Sequence, residues 1–221
     1  MNRPLLISDC DEVLLHMVRH FRDWLDEERD VDFAIHEENW GEALVRRETG
    51  TIVPTNEVWP YLDGFFDTEM RRQTLVPGAI AALERIGAVA DIVILTNLGD
   101  HRQAPRVEQL SAHGIYHRVE CNQGGKGVAL QALIDEYRPS VAVFVDDLSV
   151  QHASVAKYAP SVWRLHMIAE PIIAQSRTIA PDAHVRIDDW AAAADWILAR
   201  FADGSAPPST KRALTGRAAK A

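Results

Sequence analysis

The chain has 221 residues, 47% hydrophobic and 25% charged, the balance of a soluble globular protein with one core or a core plus a small insertion. Its net charge of −9 argues against a general nucleic-acid binder, which carries a basic footprint. No segment approaches the roughly 18 apolar residues of a membrane span, and Asp9 and Asp11 interrupt the first apolar stretch too early for a signal peptide.

Leu5-Leu6-Ile7 predicts a buried strand, followed at once by Asp9-Cys10-Asp11-Glu12-Val13. Residues 14–74 read mostly as helix. Leu14, Leu15, Val18, Phe21, Trp24 and Leu25 recur at helical spacing, and further helices are expected over 38–47 and 56–72. Gly50, Pro54, Pro60 and Gly64 punctuate this stretch. From Pro77-Gly78 the rhythm changes. Helices at 79–86, 106–113, 127–137 and 148–157 are interspersed with strands at 90–95, near 119, at 141–145, at 161–165 and at 185–187. Asp188 or Asp189 is expected to cap a last helix over 190–201. Apolar strands alternating with helices predict an α/β core, a Rossmann-like open parallel sheet with helices on both faces. Residues 1–13 and 75–202 are assigned to this core and 14–74 to a small helical domain. Residues 203–221, without large aromatics, are read as a disordered tail. The two cysteines, Cys10 and Cys121, have no metal-ligand spacing; two lone thiols fit a reducing, cytoplasmic setting.

In open parallel sheets, ligands bind beyond the carboxyl ends of the strands. An isolated carboxylate in an apolar setting costs on the order of several kcal/mol or neutralises itself. Two of them, Asp9 and Asp11, at the end of one buried strand call for a shared cation or for catalysis. Three other features complete the pattern: Ile92–Leu95 runs into Thr96-Asn97, Val141–Val145 runs into Asp146-Asp147, and Gly124-Gly125-Lys126-Gly127 opens a helix. Together they describe a phosphoryl-transfer site. A carboxylate such as Asp9 can attack phosphorus. Asp11 can protonate the leaving oxygen and then activate water. Thr96, with Asn97, can bind phosphate oxygens, and Lys126 can neutralise nucleophile and phosphate together. Asp146 and Asp147 can hold Mg²⁺, which prefers hard oxygen ligands.

This ordered set resembles the haloacid dehalogenase-like hydrolase superfamily. Asp9 through Val13 matches its first motif, Ile94-Leu95-Thr96-Asn97 its second, Lys126 the lysine of its third, and Val143-Phe144-Val145-Asp146-Asp147 its fourth, over roughly residues 5–165. The stretch before Lys126 lacks the Lys-Pro pair common in many members. The resemblance implies that Asp9 is nucleophile and metal ligand and that Asp11 is general acid/base, with its backbone carbonyl on the metal. Asp146 is then a direct metal ligand, and Asp147 a direct or water-bridged one. An acid two residues after the nucleophile favours the family's phosphatases over its dehalogenases. The 65 residues between Asp11 and Pro77 correspond to a helical cap that closes over the site and selects small substrates. The expected activity is Mg²⁺-dependent hydrolysis of a small phosphorylated metabolite. Transfer to another alcohol, or phospho-ligand binding without turnover, are the alternatives.

Other residues favour plainer readings. Trp24, Trp40 and Trp59 are expected to fill the core of the small helical domain rather than a substrate pocket. Arg46, Arg47, Arg71 and Arg72 read as solvated helix faces rather than anion ligands. His113 and His117 lack further partners for zinc. His152 reads as a surface or core histidine.

Overall fold

The structure, a computed structural model, describes residues 2–35 and 40–208. Its centre is a six-stranded parallel sheet formed by β1 (Leu5–Ser8), β6 (Asp91–Thr96), β7 (Arg118–Cys121), β8 (Ala142–Asp146), β9 (Trp163–His166) and β10 (Val185–Arg186). The strand order is β10-β9-β8-β1-β6-β7. Alternate residues of β1 serve opposite faces. Leu6 packs with α4 (Ala79–Gly87), α5 (Gln103–Ala112) and α9 (Trp190–Asp203), whereas Leu5 and Ile7 pack with α6 (Gly127–Tyr137) and α7 (Ser149–Tyr158). Burial on both faces explains why the central strands are almost wholly apolar. In register, Ser8 lies beside Ile94 of β6 and Val145 of β8, so the chain leaves three adjacent strands at Asp9, Thr96 and Asp146.

Between β1 and α4 the chain builds a separate unit. It enters through β2 (Leu15–His16) and leaves through β5 (Thr74–Leu75), and the two strands pair antiparallel as a neck. The unit contains α1 (Val18–Arg29), β3 (Val31–Phe33), α2 (Trp40–Ala43), β4 (Leu44–Arg46), α3 (Thr55–Thr68) and a 3₁₀ turn at Met70–Arg72. Phe21, Trp24, Phe33 and Phe65 form its aromatic core, and Leu98 from the loop after β6 joins the same buried cluster.

Several sequence expectations shift. Helix was expected from Leu14, but α1 begins at Val18. Glu12 sits at φ 58° and its carboxylate accepts the N–H groups of Met17 and Val18 at 2.7 and 2.6 Å. Leu15 and His16 are left free to pair with Leu75 and Thr74. The helix expected over 38–47 is replaced from Leu44 by β4, which pairs antiparallel with β3; Glu38 and Asn39 lie outside the described residues. A short helix, α8 (Pro171–Ser176), was not anticipated; the Glu170 side chain caps it and Pro171 opens it. Asp189, not Asp188, caps α9 by accepting the Ala192 N–H at 2.9 Å. Residue 203 still belongs to α9. Beyond it, the Ser205 carbonyl accepts the Trp163 indole N–H at 2.9 Å, so the start of the expected disordered tail is tied to the core. Residues 209–221 lie outside the described residues.

Candidate active site

Burying Asp9 and Asp146 side by side is tolerated because a lysine joins them. Lys126 Nζ lies 2.8 Å from Asp9 Oδ1 and 2.7 Å from Asp146 Oδ2, and all three side chains are buried. Close helix packing brings the lysine there. Gly127 lies so near α7 that a Cβ would stand 2.3 Å from the Ser154 carbonyl oxygen, so only glycine fits. Gln151 of α7 fixes the backbone, its Oε1 accepting the Lys126 N–H at 2.8 Å. Burial disfavours the ammonium, but Asp146 and Asp9 outweigh it and hold the Lys126 pKa above its ordinary value. Asp9 Oδ1 also accepts the Cys10 N–H at 2.7 Å, and Asp146 Oδ1 the Leu148 N–H at 2.8 Å.

Oxygens of Asp9, Asp146 and Asp147 all lie within 4.8 Å of one another. Burial lifts Asp9 to about 7, with Asp146 and Asp11 adding to the rise against Lys126. Burial, then Asp146 and Asp9, also holds Asp147 well above the usual carboxylate range. Three crowded carboxylates with one lysine between them leave negative charge that a divalent cation would relieve, and an all-oxygen set suits Mg²⁺. The residues present therefore fit the metal. Among the described residues, no other cluster of three possible ligands forms, and His113 and His117 join none.

The Asp11 carboxylate is not part of this cluster. Arg106 Nη2 donates to both of its oxygens at 3.0 Å, Gln73 Nε2 donates at 2.6 Å, and Thr96 Oγ1 lies 3.5 Å away. Arg106 is wholly buried, its guanidinium also reaching Cys10 Sγ at 3.1 Å and standing 5.7 Å from the Phe66 ring centroid. Asp11 thus joins the sheet, α5 and the exit of the insert. Arg106, Gln73 and Gln151 escaped the sequence reading. A single Arg within a helix carries no sign of burial, and each becomes visible only through its partner.

Thr96 is buried at the end of β6, while Asn97 is exposed and donates to the Gly124 carbonyl at 2.8 Å, tying the loop after β6 to the loop before Lys126. His152 is a buried core residue. Its Nε2 donates to the Asp146 carbonyl at 3.0 Å, and burial lowers its pKa to about 4. His166, also unanticipated, donates from Nε2 to the Asp147 carbonyl at 2.9 Å while its Nδ1 accepts the Ala180 N–H. Two neutral imidazoles therefore brace the acidic loop from behind.

A cavity of about 580 Å³ opens beside these residues, between α3 on one side and loops 97–102 and 122–124 on the other. Trp24 is buried in the insert as expected, whereas Trp59 is 60% exposed and lines this cavity. The Trp40 side chain lies outside the described residues. Arg47 pairs with Asp26 and Asp32 and Arg71 with Glu108 in solvent, whereas the half-buried Arg46, on β4 rather than a helix, pairs with Glu57 and the half-buried Arg72 with Glu27; none lines the cavity.

No protein-family model matches the sequence, and no curated protein matches it. Solved structures do match. A protein from Burkholderia xenovorans LB400, named as a haloacid dehalogenase-like hydrolase, superposes with a TM-score of 0.62 at 17% identity over 91% of this chain and 99% of its own. The fold is that of the haloacid dehalogenase-like hydrolases. A HAD family hydrolase from Deinococcus radiodurans R1, solved with phosphate and sodium bound, matches at TM-score 0.62 and 15% identity over 90% of this chain and 96% of that one. A HAD-hydrolase from Bacillus subtilis, bound to magnesium, matches at TM-score 0.61 and 11% identity over 89% and 99%. In the HAD-like fold of this chain, the mixed α/β core and its parallel sheet agree with the sequence expectation. Among the described residues, no helix is long and apolar enough to cross a membrane.

Proposed function

We propose that the protein is a Mg²⁺-dependent phosphatase acting on a small phosphorylated metabolite, through a phosphoryl group carried transiently on Asp9. The observation that carries this reading is the buried Asp9–Lys126–Asp146 arrangement with Asp147 beside it, at the carboxyl ends of adjacent strands. Buried charges of this kind are costly and cluster at functional sites. Phosphate bound to the Deinococcus structure and magnesium bound to the Bacillus one support it by analogy of fold.

Asp9 attacks phosphorus, and Lys126 offsets charge on the attacking carboxylate and the incoming phosphate. Thr96 and Asn97 bind phosphate oxygens. Asp9, Asp146 and Asp147, with the Asp11 backbone carbonyl, would hold Mg²⁺. When bound, Mg²⁺ screens the repulsion between anionic nucleophile and anionic phosphate. Asp11 serves the proton transfers, and Arg106 with Gln73 fixes its direction. The insert, residues 14–74, acts as the cap, and its two-stranded neck is where it would hinge.

The test is phosphate release from a panel of phosphomonoesters by wild type and Asp9→Asn, with Mg²⁺ and with chelator. Release that requires both Asp9 and Mg²⁺ is expected. Release that survives Asp9→Asn in folded protein excludes the mechanism, and consumption of ester only when an acceptor alcohol is supplied reassigns the protein as a phosphotransferase.

A further inference from the structure

The cavity between α3 and the loops after β6 and β7 has an uneven polar lining. Its guanidinium, Arg102, is already engaged. Nε donates to Asp67 Oδ1 at 2.8 Å, Nη1 to Asp63 Oδ1 at 2.7 Å, and Nη2 to the Asp63 carbonyl at 3.3 Å, with the side chain only 10% exposed. Its charge is directed at two carboxylates rather than at the cavity. His101 Nε2 also lies 4.0 Å from Asp67. Asp100 lines the cavity, is exposed, and has no ion pair or hydrogen bond through its carboxylate among the described residues. Asn122 spends its N–H donors on Asn97 Oδ1 and the Gly124 carbonyl, leaving its Oδ1 to the solvent side. What remains is mixed in hydrogen bonding, since Trp59, His101 and Gln123 can donate, but acidic in charge: Asp63 and Asp100 line the cavity, Asp67 lies behind Arg102, and Trp59 and Phe66 frame it.

Such a lining discriminates. A hydroxyl or amine adds no negative charge and can donate to Asp100, and aliphatic C–H groups pack on an indole face. A carboxylate or second phosphate adds negative charge beside Asp63 and Asp100, while the one guanidinium of the lining is already engaged by Asp63 and Asp67. We propose that this cavity receives the leaving group of the phosphoester, and that it selects an alcohol without a second anion. The proposal rests on the phosphatase reading for the place of the phosphate, and names the kind of ester the site takes. Asp63 and Asp67 act here as specificity residues: they consume the charge that would otherwise receive an anionic leaving group.

The test is binding rather than turnover. Calorimetry with Mg²⁺ compares hydroxypropylphosphonate with phosphonopropanoate, non-hydrolysable probes of similar size that differ in a terminal hydroxyl or carboxylate. Wild type is expected to bind the hydroxyl probe about tenfold tighter or more. In Asp63→Asn/Asp67→Asn, which frees Arg102, the gap is expected to close to within about threefold. Equal or tighter binding of the carboxylate probe by wild type overturns the proposal, as does failure of both probes to bind or an unchanged ratio in the folded double variant. The two readings separate cleanly. Probes ranked as expected by a protein that hydrolyses no ester leave the selectivity standing and remove the phosphatase. Turnover that favours carboxylate-bearing esters does the reverse.

Discussion

At the ends of β1 and β8, Asp9, Lys126 and Asp146 meet with little contact with water. On the insert, Arg47 meets Asp26 and Asp32 in solvent, and the half-buried Arg72 meets the exposed Glu27. The distances are alike but the energetics differ. A buried pair gives up hydration on both sides and persists only when each partner neutralises the other. An exposed pair gains little over water and is screened by salt. The sheet therefore concentrates charge where it is costly, and the insert spreads it where it is cheap, which points to the sheet ends for chemistry.

Variants can break this contrast. Asp9→Asn removes the proposed nucleophile but no packing volume, and turnover is expected to fall by at least about 10³-fold in a protein with an unchanged circular dichroism spectrum. Lys126→Met leaves two buried carboxylates facing each other. It is expected to cost about 10²-fold in kcat/KM and roughly 3–5 kcal/mol in urea unfolding without Mg²⁺, with part of the stability restored by the ion. Arg106→Leu, which frees Asp11, is expected to lower kcat by about 10- to 100-fold with a smaller change in KM, and Arg106→Lys to recover part of it.

Smaller effects sharpen the contrast. Burial, helped by the nearby Arg164, lowers His184 to about 4, so the folded protein leaves it neutral while the unfolded chain protonates it below its ordinary 6.5. Its contribution to stability is complete above pH 6.5 and is lost as pH falls toward 4. His184→Asn is expected to flatten that part of the urea-midpoint profile. On the insert, Arg72→Ala should leave turnover unchanged and stability nearly so, and a large loss of either would show that the surface pairs matter more than their exposure suggests.

The sheet was legible in the sequence because both its faces are buried. β1, β6 and β8 read as unbroken apolar runs, and each ends in a residue whose chemistry contrasts with the run. The insert was less legible. Its strands are two or three residues long, too short for a period to emerge, and Val31-Asp32-Phe33 reveals its alternation only once paired with Leu44–Arg46. Glu12 looked like one more acid in the first motif, yet its carboxylate starts α1. Arg106 looked like an ordinary helix residue, because its burial depends on Asp11, 95 positions away. Trp59 was read as core and proved to be cavity wall, since composition tells how much aromatic surface a small domain has but not which ring faces out.

The most direct test of the central claim is acid quenching of wild-type protein during turnover with Mg²⁺, followed by mass spectrometry of the peptide that carries Asp9. A phosphoryl adduct on Asp9 that appears with substrate and disappears after it is consumed is the predicted result. Sustained phosphate release with Asp9 never modified, or with the adduct on another residue, would contradict it.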